Sequence, residues 1–512
     1  MPIIGSPHVL GPWVGGFNAS KPSDDLDPRE IYDGENMRVL PDGSLRQRPG
    51  STPYNSSAIS GTPTIDTFGQ HAFDADTKRV YAFAGTSFYE DSASNGVFVD
   101  RTGSATITSG NKWSLADAFG TMIGHNGVSG DTIIKWESAG GNLGTLSVDG
   151  RFTWAKYWDF WDNRAWAANT STGTEDVWRS DTGNIESWGT TSFFQTGTIN
   201  TGMRSMSNFQ VIHSESSITL LVPTGNAVTP YRQVPKQAKG TVSNASLLTV
   251  TIPTIGEVQV YVREDGIYAF DGNTSRKLSE RLDGSRYWDS INTSALKDSF
   301  AINYPKQNEI WFYLPYGAGQ TTMNHRIVYN YRLGCFYVPW TGTTRAFAAT
   351  IDGDPHSGGI SDGFVYDEDP SNLSDSDGTT DTAIDGWFET SSVSPEGEDV
   401  TPRWLFCRTS LDIKGSYDIA FTATMTSSPE ATDVIEPKGT FDAIETGFQI
   451  GVSAIAEDTS QVLNLDQNLS GYDPHIRLKY QNAAVDEEMS IRKATCVYRA
   501  IGRTRKRREG VI

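Results

Sequence analysis

The sequence predicts an all-β protein: a β-propeller with an extended N-terminal arm and a C-terminal β-sandwich domain. Three observations predict it. The 512 residues hold 50 Gly and 23 Pro and are 11% aromatic, which favours many short strands joined by turns over long helices. Alternating apolar segments recur from Thr64 to Asp367. The turns between them keep one chemistry, Asp-Gly or Asn-rich.

The first 54 residues scatter Gly, Pro and charge with little alternation, and are read as an extended arm. Within it, Asp27 to Gly50 fits a short helix-like segment, a strand, an Asp-Gly turn and a second strand. Residues 55–385 are read as the propeller. Its expected strands include Arg79–Ala84, Arg164–Ala168, Ile218–Val222, Gly266–Gly272, Glu309–Leu314 and Arg326–Tyr331. Turns precede them at Asp74–Lys78, Asp162–Asn163 and Pro305–Asn308. At the ~40–50 residues a blade takes, about six to eight blades fit; a solenoid or two sandwiches would give similar alternation. The helix-like windows, such as Ser290–Phe300, are short.

Between Ala346 and Pro402 stand fourteen Asp or Glu and no Lys or Arg, a run expected to be a solvated loop or linker. Beyond it, residues 386–512 resume alternation at Arg403–Phe406, Tyr417–Thr424, His475–Tyr480 and Thr495–Arg499, as a smaller sandwich would. The chain closes on the basic run Arg503–Arg508.

The net charge of −20 argues against a protein that grips nucleic acid, since such affinity rests on cations neutralising phosphates. An acidic wall repelling phosphate over a Debye length of ~8 Å is compatible with letting nucleic acid slide past; simple solubility explains the charge equally well. With no apolar run of ~20 residues and no signal-like start, the expectation is a soluble protein made in a cytoplasm, without membrane insertion. Cys335, Cys407 and Cys496 are expected to be buried free thiols.

No catalytic, cofactor-binding or metal residue is assigned. Gly359-Ile360-Ser361-Asp362-Gly363 matches GxSxG but has no strand-to-helix context, and is read as a turn. The seven histidines stand singly, without HxH or HExxH. Gly317 to Thr322 lacks the lysine of a phosphate loop and is read as a hairpin loop. Asp375-Ser376-Asp377-Gly378 carries hard oxygen ligands without a complete calcium loop. The strongest enzymatic signal is the cluster Trp154, Tyr157, Trp158, Phe160, Trp161, Trp166, Trp178 and Trp188, interleaved with Asp159, Asp162, Asp176 and Asp181. A saccharide platform with paired carboxylates looks like this; so does a blade core with Asp-capped turns, which is the favoured reading.

Three stretches together carry a resemblance. Asp27 to Gly50 ends in Asp-Gly, Leu, Arg and Arg-Pro-Gly; Val177 to Trp188 holds Ser-Asp-Thr-Gly-Asn ahead of a Trp; Arg263 to Gly272 runs a Gly-aromatic strand into Asp-Gly. In this order they resemble the tail nozzle or hub proteins of short-tailed bacteriophages, of the tail tubular protein B or packaged-DNA stabilisation type. The resemblance covers about two thirds of the chain. It implies a virion structural protein, not an enzyme, without cofactor. It further implies a homo-oligomeric ring, expected to be a hexamer, below the portal and adaptor, with a channel that retains and then conducts double-stranded DNA. On that reading Asp352, Asp354, Asp362, Asp367, Glu368 and Asp369 are candidate channel-facing acids. Arg29, Arg38, Arg46, Arg48, Arg503, Arg505, Lys506, Arg507 and Arg508 are candidate assembly contacts. Rival expectations are a glycan-binding or glycan-hydrolysing tail propeller and a baseplate or capsid-decorating β protein.

Overall fold

A computed structural model describes residues 5–92, 95–253, 255–395, 400–412, 419–425, 431–435 and 462–503. The chain is all-β, and its repeats resolve into a seven-bladed propeller. Among the described residues seven four-stranded antiparallel sheets follow one another. Blade 1 begins at Ile65–Ala72, blade 2 at Ser114–Ala118, blade 3 at Ala155–Trp161 and blade 4 at Asn200–Met206. Blades 5, 6 and 7 begin at Leu248–Ile252, Phe300–Tyr304 and Phe347–Ile351. Each blade's first strand is innermost, beside the first strands of its neighbours, and blade 7 returns to blade 1.

Local chemistry explains each hairpin. Asp162 and Asn163 have φ of 52° and 55°, the left-handed pair a two-residue hairpin turn needs, and they place Trp161 opposite Arg164. Asn308, at φ 58°, ends the Pro305–Gln307 turn and delivers the chain to Glu309–Leu314. Every sequence-read propeller strand lies within or overlaps a blade strand; Ser290–Phe300 instead holds a 3-10 turn, Thr293–Asp298, capped by Asn292.

Between blades the core divides into discrete apolar clusters. Phe83, Phe88, Trp113 and Trp136 bind blades 1 and 2; Trp158, Trp178 and Trp188 pack with Ala116 and Ile123 between blades 2 and 3. Tyr157 and Trp166 meet Ile212 and Tyr231 of blade 4. At roughly 1.5–3 kcal/mol per large side chain removed from water, these clusters hold the blades together. The tryptophan cluster is therefore blade core: Trp158, Trp166, Trp178 and Trp188 are all buried. Its carboxylates serve the turns and strands. Asp162 accepts from the Tyr231 hydroxyl at 2.5 Å, Asp176 from Thr172 at 2.7 Å, and Asp181 from Ser187 at 2.7 Å.

The N-terminal segment departs from expectation. It is no extended arm but supplies five of the twelve strands of the second domain. Two six-stranded sheets face one another. One joins Ser6–Leu10, Met37–Val39 and Leu45–Gln47 to Val400–Asp412, Val462–Tyr472 and Ser490–Arg503. The other joins Gly16–Phe17 and Glu30–Glu35 to Gly386–Thr390, Ile476–Asn482, Ile419–Met425 and Ala431–Ile435. Trp13 packs edge-on to Phe388, and Cys407 and Thr409 meet the Tyr480 hydroxyl between the sheets. The segment has little alternation because its strands are short and partners supply most of the sheet. Thr52–Pro53 continues into the propeller, pairs with Val365–Asp367 as the fourth strand of blade 7, and so closes the ring.

The acidic run is likewise not a linker. It contains Asp354–Gly358 and Val365–Asp367 of blade 7, a ribbon of Ser374–Ser376 with Asp381–Ala383, and Gly386–Thr390 of the sandwich. All three cysteines are buried, and Cys407 sits directly opposite Cys496 on neighbouring strands. Gly359 to Gly363 is the turn between two blade 7 strands, and Gly317 to Thr322 is a hairpin loop.

Candidate functional site

The inner strands enclose a central cavity of about 1400 Å³. A strand of about six residues rises ~20 Å, so this volume corresponds to a bore roughly 9 Å wide. The start of every inner strand faces one mouth of the cavity, so residues just before or early in those strands gather there.

Lys112, before the inner strand of blade 2, reaches across the bore. Its Nζ donates to the Asp298 backbone carbonyl at 2.7 Å and lies 5.3 Å from the centre of the Phe300 ring, both in the blade 6 region. Asn244, ahead of blade 5, donates to Ser114 Oγ of blade 2 at 3.5 Å, while its own Oδ1 accepts from the Met203 backbone at 3.0 Å. These spans pinch the mouth. Burial pushes the Lys112 ammonium below its ordinary value, against the pull of Asp298 and Asp66.

Asp66, second in the inner strand of blade 1, is buried, and its carboxyl is pushed up to about 6 by loss of water, opposed by the Gly110 N–H at 3.0 Å and by Lys112. Burial also raises Asp159, although Gln210 donates to it at 2.9 Å and Arg204 attracts it. Lys156 of blade 3 and Lys297 beside blade 6 are exposed at the cavity edge; desolvation lowers Lys156, and repulsion from Lys297 lowers it further. Sequence reading named Asp159 within the aromatic and carboxylate cluster and missed the others. Asp66, Lys112, Lys156, Asn244 and Lys297 stand just before or at the second position of their inner strands, but the residue types differ from blade to blade, so no repeated motif marks them.

Of the six candidate channel-facing acids, none lines this cavity. Glu368 is fully buried and cannot face any channel: Arg326 donates to both its oxygens, at 2.8 and 2.9 Å, and Ser357 donates at 2.6 Å. Burial alone would raise its carboxyl, but the Arg326 and Arg345 guanidinium groups hold it below the usual range. Asp352 lies in the turn of the first blade 7 hairpin, 3.8 Å from Lys78; Asp354 pairs with Lys306 at 2.7 Å. Asp362 accepts from the Phe364 backbone and the Tyr366 hydroxyl, and Asp369 from Ser371. Asp367 is half-buried, 3.8 Å from His356 Nε2, and burial raises its carboxyl.

Two of the candidate assembly cations are buried and a third is partly so. Arg38 is buried and bonds Glu309 of blade 6 at 2.8 Å, with Tyr337 donating to the same carboxylate at 2.9 Å. Arg48 is buried and grips Asp375 through two nitrogens, at 2.5 and 3.0 Å. Arg46 pairs with Glu488 inside the sandwich. Sequence alone could not separate them from Arg29, which is exposed and pairs with Asp27 at 2.9 Å. Arg505, Lys506, Arg507 and Arg508, and the side chain of Arg503, lie outside the described residues. Among the described residues no cluster of His, Cys, Asp and Glu could hold a metal ion, and no helix is long and apolar enough to cross a membrane.

No protein-family model and no curated protein matches the chain. Similar solved structures include YCF48 bound to a D1 peptide, at 11% identity and a TM-score of 0.38, covering 62% of this chain and 96% of that one. BamB from Moraxella catarrhalis matches at 11% identity and a TM-score of 0.34, covering 63% and 98%. An exo-beta-1,3-galactanase from Phanerochaete chrysosporium matches at 7% identity and a TM-score of 0.24, covering 75% and 95%. Likenesses this distant say nothing of activity; the seven sheets and their closure establish the propeller directly.

Proposed function

We propose that this chain is a structural subunit of a bacteriophage tail, a nozzle or hub protein that assembles into a ring, as a hexamer, and takes its place in the virion below the portal and adaptor. The observation that carries the reading is the position of the Asp27 to Gly50 segment, the main element of the sequence resemblance. It forms strands of the sandwich and sends Arg38 and Arg48 into buried ion pairs with Glu309 and Asp375. Propeller and sandwich are thereby fixed as one stiff block, which suits a subunit that must act as a wall. The other two resembling segments fall in the propeller: Arg263 to Gly272 is the central hairpin of blade 5, and Val177 to Trp188 runs from a blade 3 strand into its buried tryptophan.

The duplex would pass between subunits and not through a propeller. A bore roughly 9 Å wide is narrower than even the ~12 Å major groove of B-DNA. With a net charge of −20, a ring of such subunits would leave phosphates little to adhere to. Exposed carboxylates such as Asp352 suit that surface, whereas Glu368 does not.

Electron microscopy of the purified chain tests this. Six-fold rings are expected; monomers at every concentration would overturn the reading. The rival, glycan hydrolysis, loses Trp166, Trp178 and Trp188 to the blade core but keeps Asp66 and Asp159 in the cavity beside Tyr157, Trp158 and Phe160. Turnover of a host-surface polysaccharide, abolished by Asp66→Asn, would favour it instead.

A further inference from the structure

The cavity mouth carries a feature that a wall does not need. Lys112, Lys156 and Lys297 come from blade 2, blade 3 and the approach to blade 6, and converge on one rim of the bore. Lys297, in the 3-10 segment leading to blade 6, lines the same cavity as Lys156 of blade 3 and is near enough to repel it. Neither forms a salt bridge among the described residues, nor does Lys112; the Lys156 ammonium lies 5.6 Å from the centre of the Tyr157 ring, and that of Lys112 is spent on a backbone carbonyl and an aromatic face. The charged groups lining the cavity are Lys112, Lys156, Arg204, Lys297 and Arg345 against Asp66, Asp117, Asp159 and Asp298, a small positive excess within a strongly acidic protein, and the carboxylates acting on the lysines are Asp298 and Asp66.

We propose that this rim is a binding site for a single phosphoryl group, held between Lys156 and Lys297 over the Lys112–Asp298 bridge. Three arguments select the ligand. Like charges held near enough to repel are relieved by an anion between them. Ammonium groups, unlike guanidinium forks, bind as point charges and suit a tetrahedral oxyanion better than a flat carboxylate. The roughly 9 Å bore admits a phosphate or the terminal phosphate of a thin single strand and excludes a duplex. Free inorganic phosphate and a terminal phosphate monoester share this chemistry.

The test titrates the full-length chain at low ionic strength with inorganic phosphate and inorganic pyrophosphate, by calorimetry and thermal shift. One site per chain is expected. Affinity should fall at least tenfold in Lys156→Met and in Lys297→Met and vanish in Lys297→Glu. Lys135→Met, a change at a lysine already paired with Glu137 and Glu186, should leave it unaltered. Both target side chains are exposed, so folding is expected to persist, and circular dichroism checks it. A dinucleotide with a 5′-phosphate, compared with its unphosphorylated form, separates the sources: tighter binding than inorganic phosphate marks the monoester as ligand, and equal binding marks the free ion. No binding of any phosphate, equal binding of the unphosphorylated dinucleotide, or unchanged affinity in both methionine variants would overturn the assignment.

Discussion

The propeller and the sandwich are built from similar strands but connected in opposite ways. Six blades are made wholly of strands consecutive in sequence, each pairing with the one before it. In the sandwich, partners come from the two ends of the chain: Ser6–Leu10 pairs with the strand Ser490–Arg503, and Glu30–Glu35 with Gly386–Thr390. The difference teaches where stability is concentrated. A blade loses little loop entropy on closing its hairpins, whereas the sandwich forms only after the chain between its halves is organised. The junction between the two is correspondingly reinforced by buried charge, Arg38 with Glu309 and Arg48 with Asp375, while Arg326 with Glu368 ties blade 6 to blade 7.

Removing residues 1–54 should break the comparison most completely. The deletion takes five sandwich strands and the strand that closes blade 7, so loss of both domains is expected by circular dichroism and limited proteolysis. A propeller that survived intact would show that its ring does not need the N-terminal closure.

Glu368→Gln comes next. It leaves Arg326 and Arg345 buried without a counter-charge, and a loss of about 3–5 kcal/mol in denaturant unfolding is expected. The effect has a pH signature. Because the folded carboxyls of Glu368 and Asp375 lie below their usual range, their contribution is fully present above the unfolded value near 4 and is lost as pH falls through the folded values. Wild type and variant should therefore converge in acid.

Arg38→Met tests the junction from the sandwich side. It strands Glu309 in the interior, and a loss of about 3 kcal/mol is expected, with unfolding that separates the two domains into distinct transitions. A single unchanged transition would show that apolar contacts alone couple them.

Asp66→Asn sharpens the picture of the cavity in the other direction. A carboxyl raised to about 6 disfavours folding once ionised, so the substitution should stabilise the protein by on the order of 1 kcal/mol above pH 6, with the gain fading as pH falls from about 6 to about 4. Thermal melts across that range read it. The smallest effect belongs to Arg29→Ala: its pair with Asp27 is exposed, and a change within about 0.5 kcal/mol is expected.

The sequence by itself determined the strand content, the hairpin grammar and the burial of the aromatics, because these follow from period-two alternation and from turns such as Asp162–Asn163 that act over a few residues. Even the three cysteines could be read as buried thiols from their spacing. Tertiary structure alone decided what long-range pairing decides. The N-terminal segment became five of the twelve sandwich strands, Thr52–Pro53 closed a propeller, Arg38 and Arg48 turned inward while Arg29 stayed in water, and residues from separate blades came to share one cavity. An arginine carries the same local pattern whether it meets solvent or a glutamate 271 positions away, so only the fold could tell them apart.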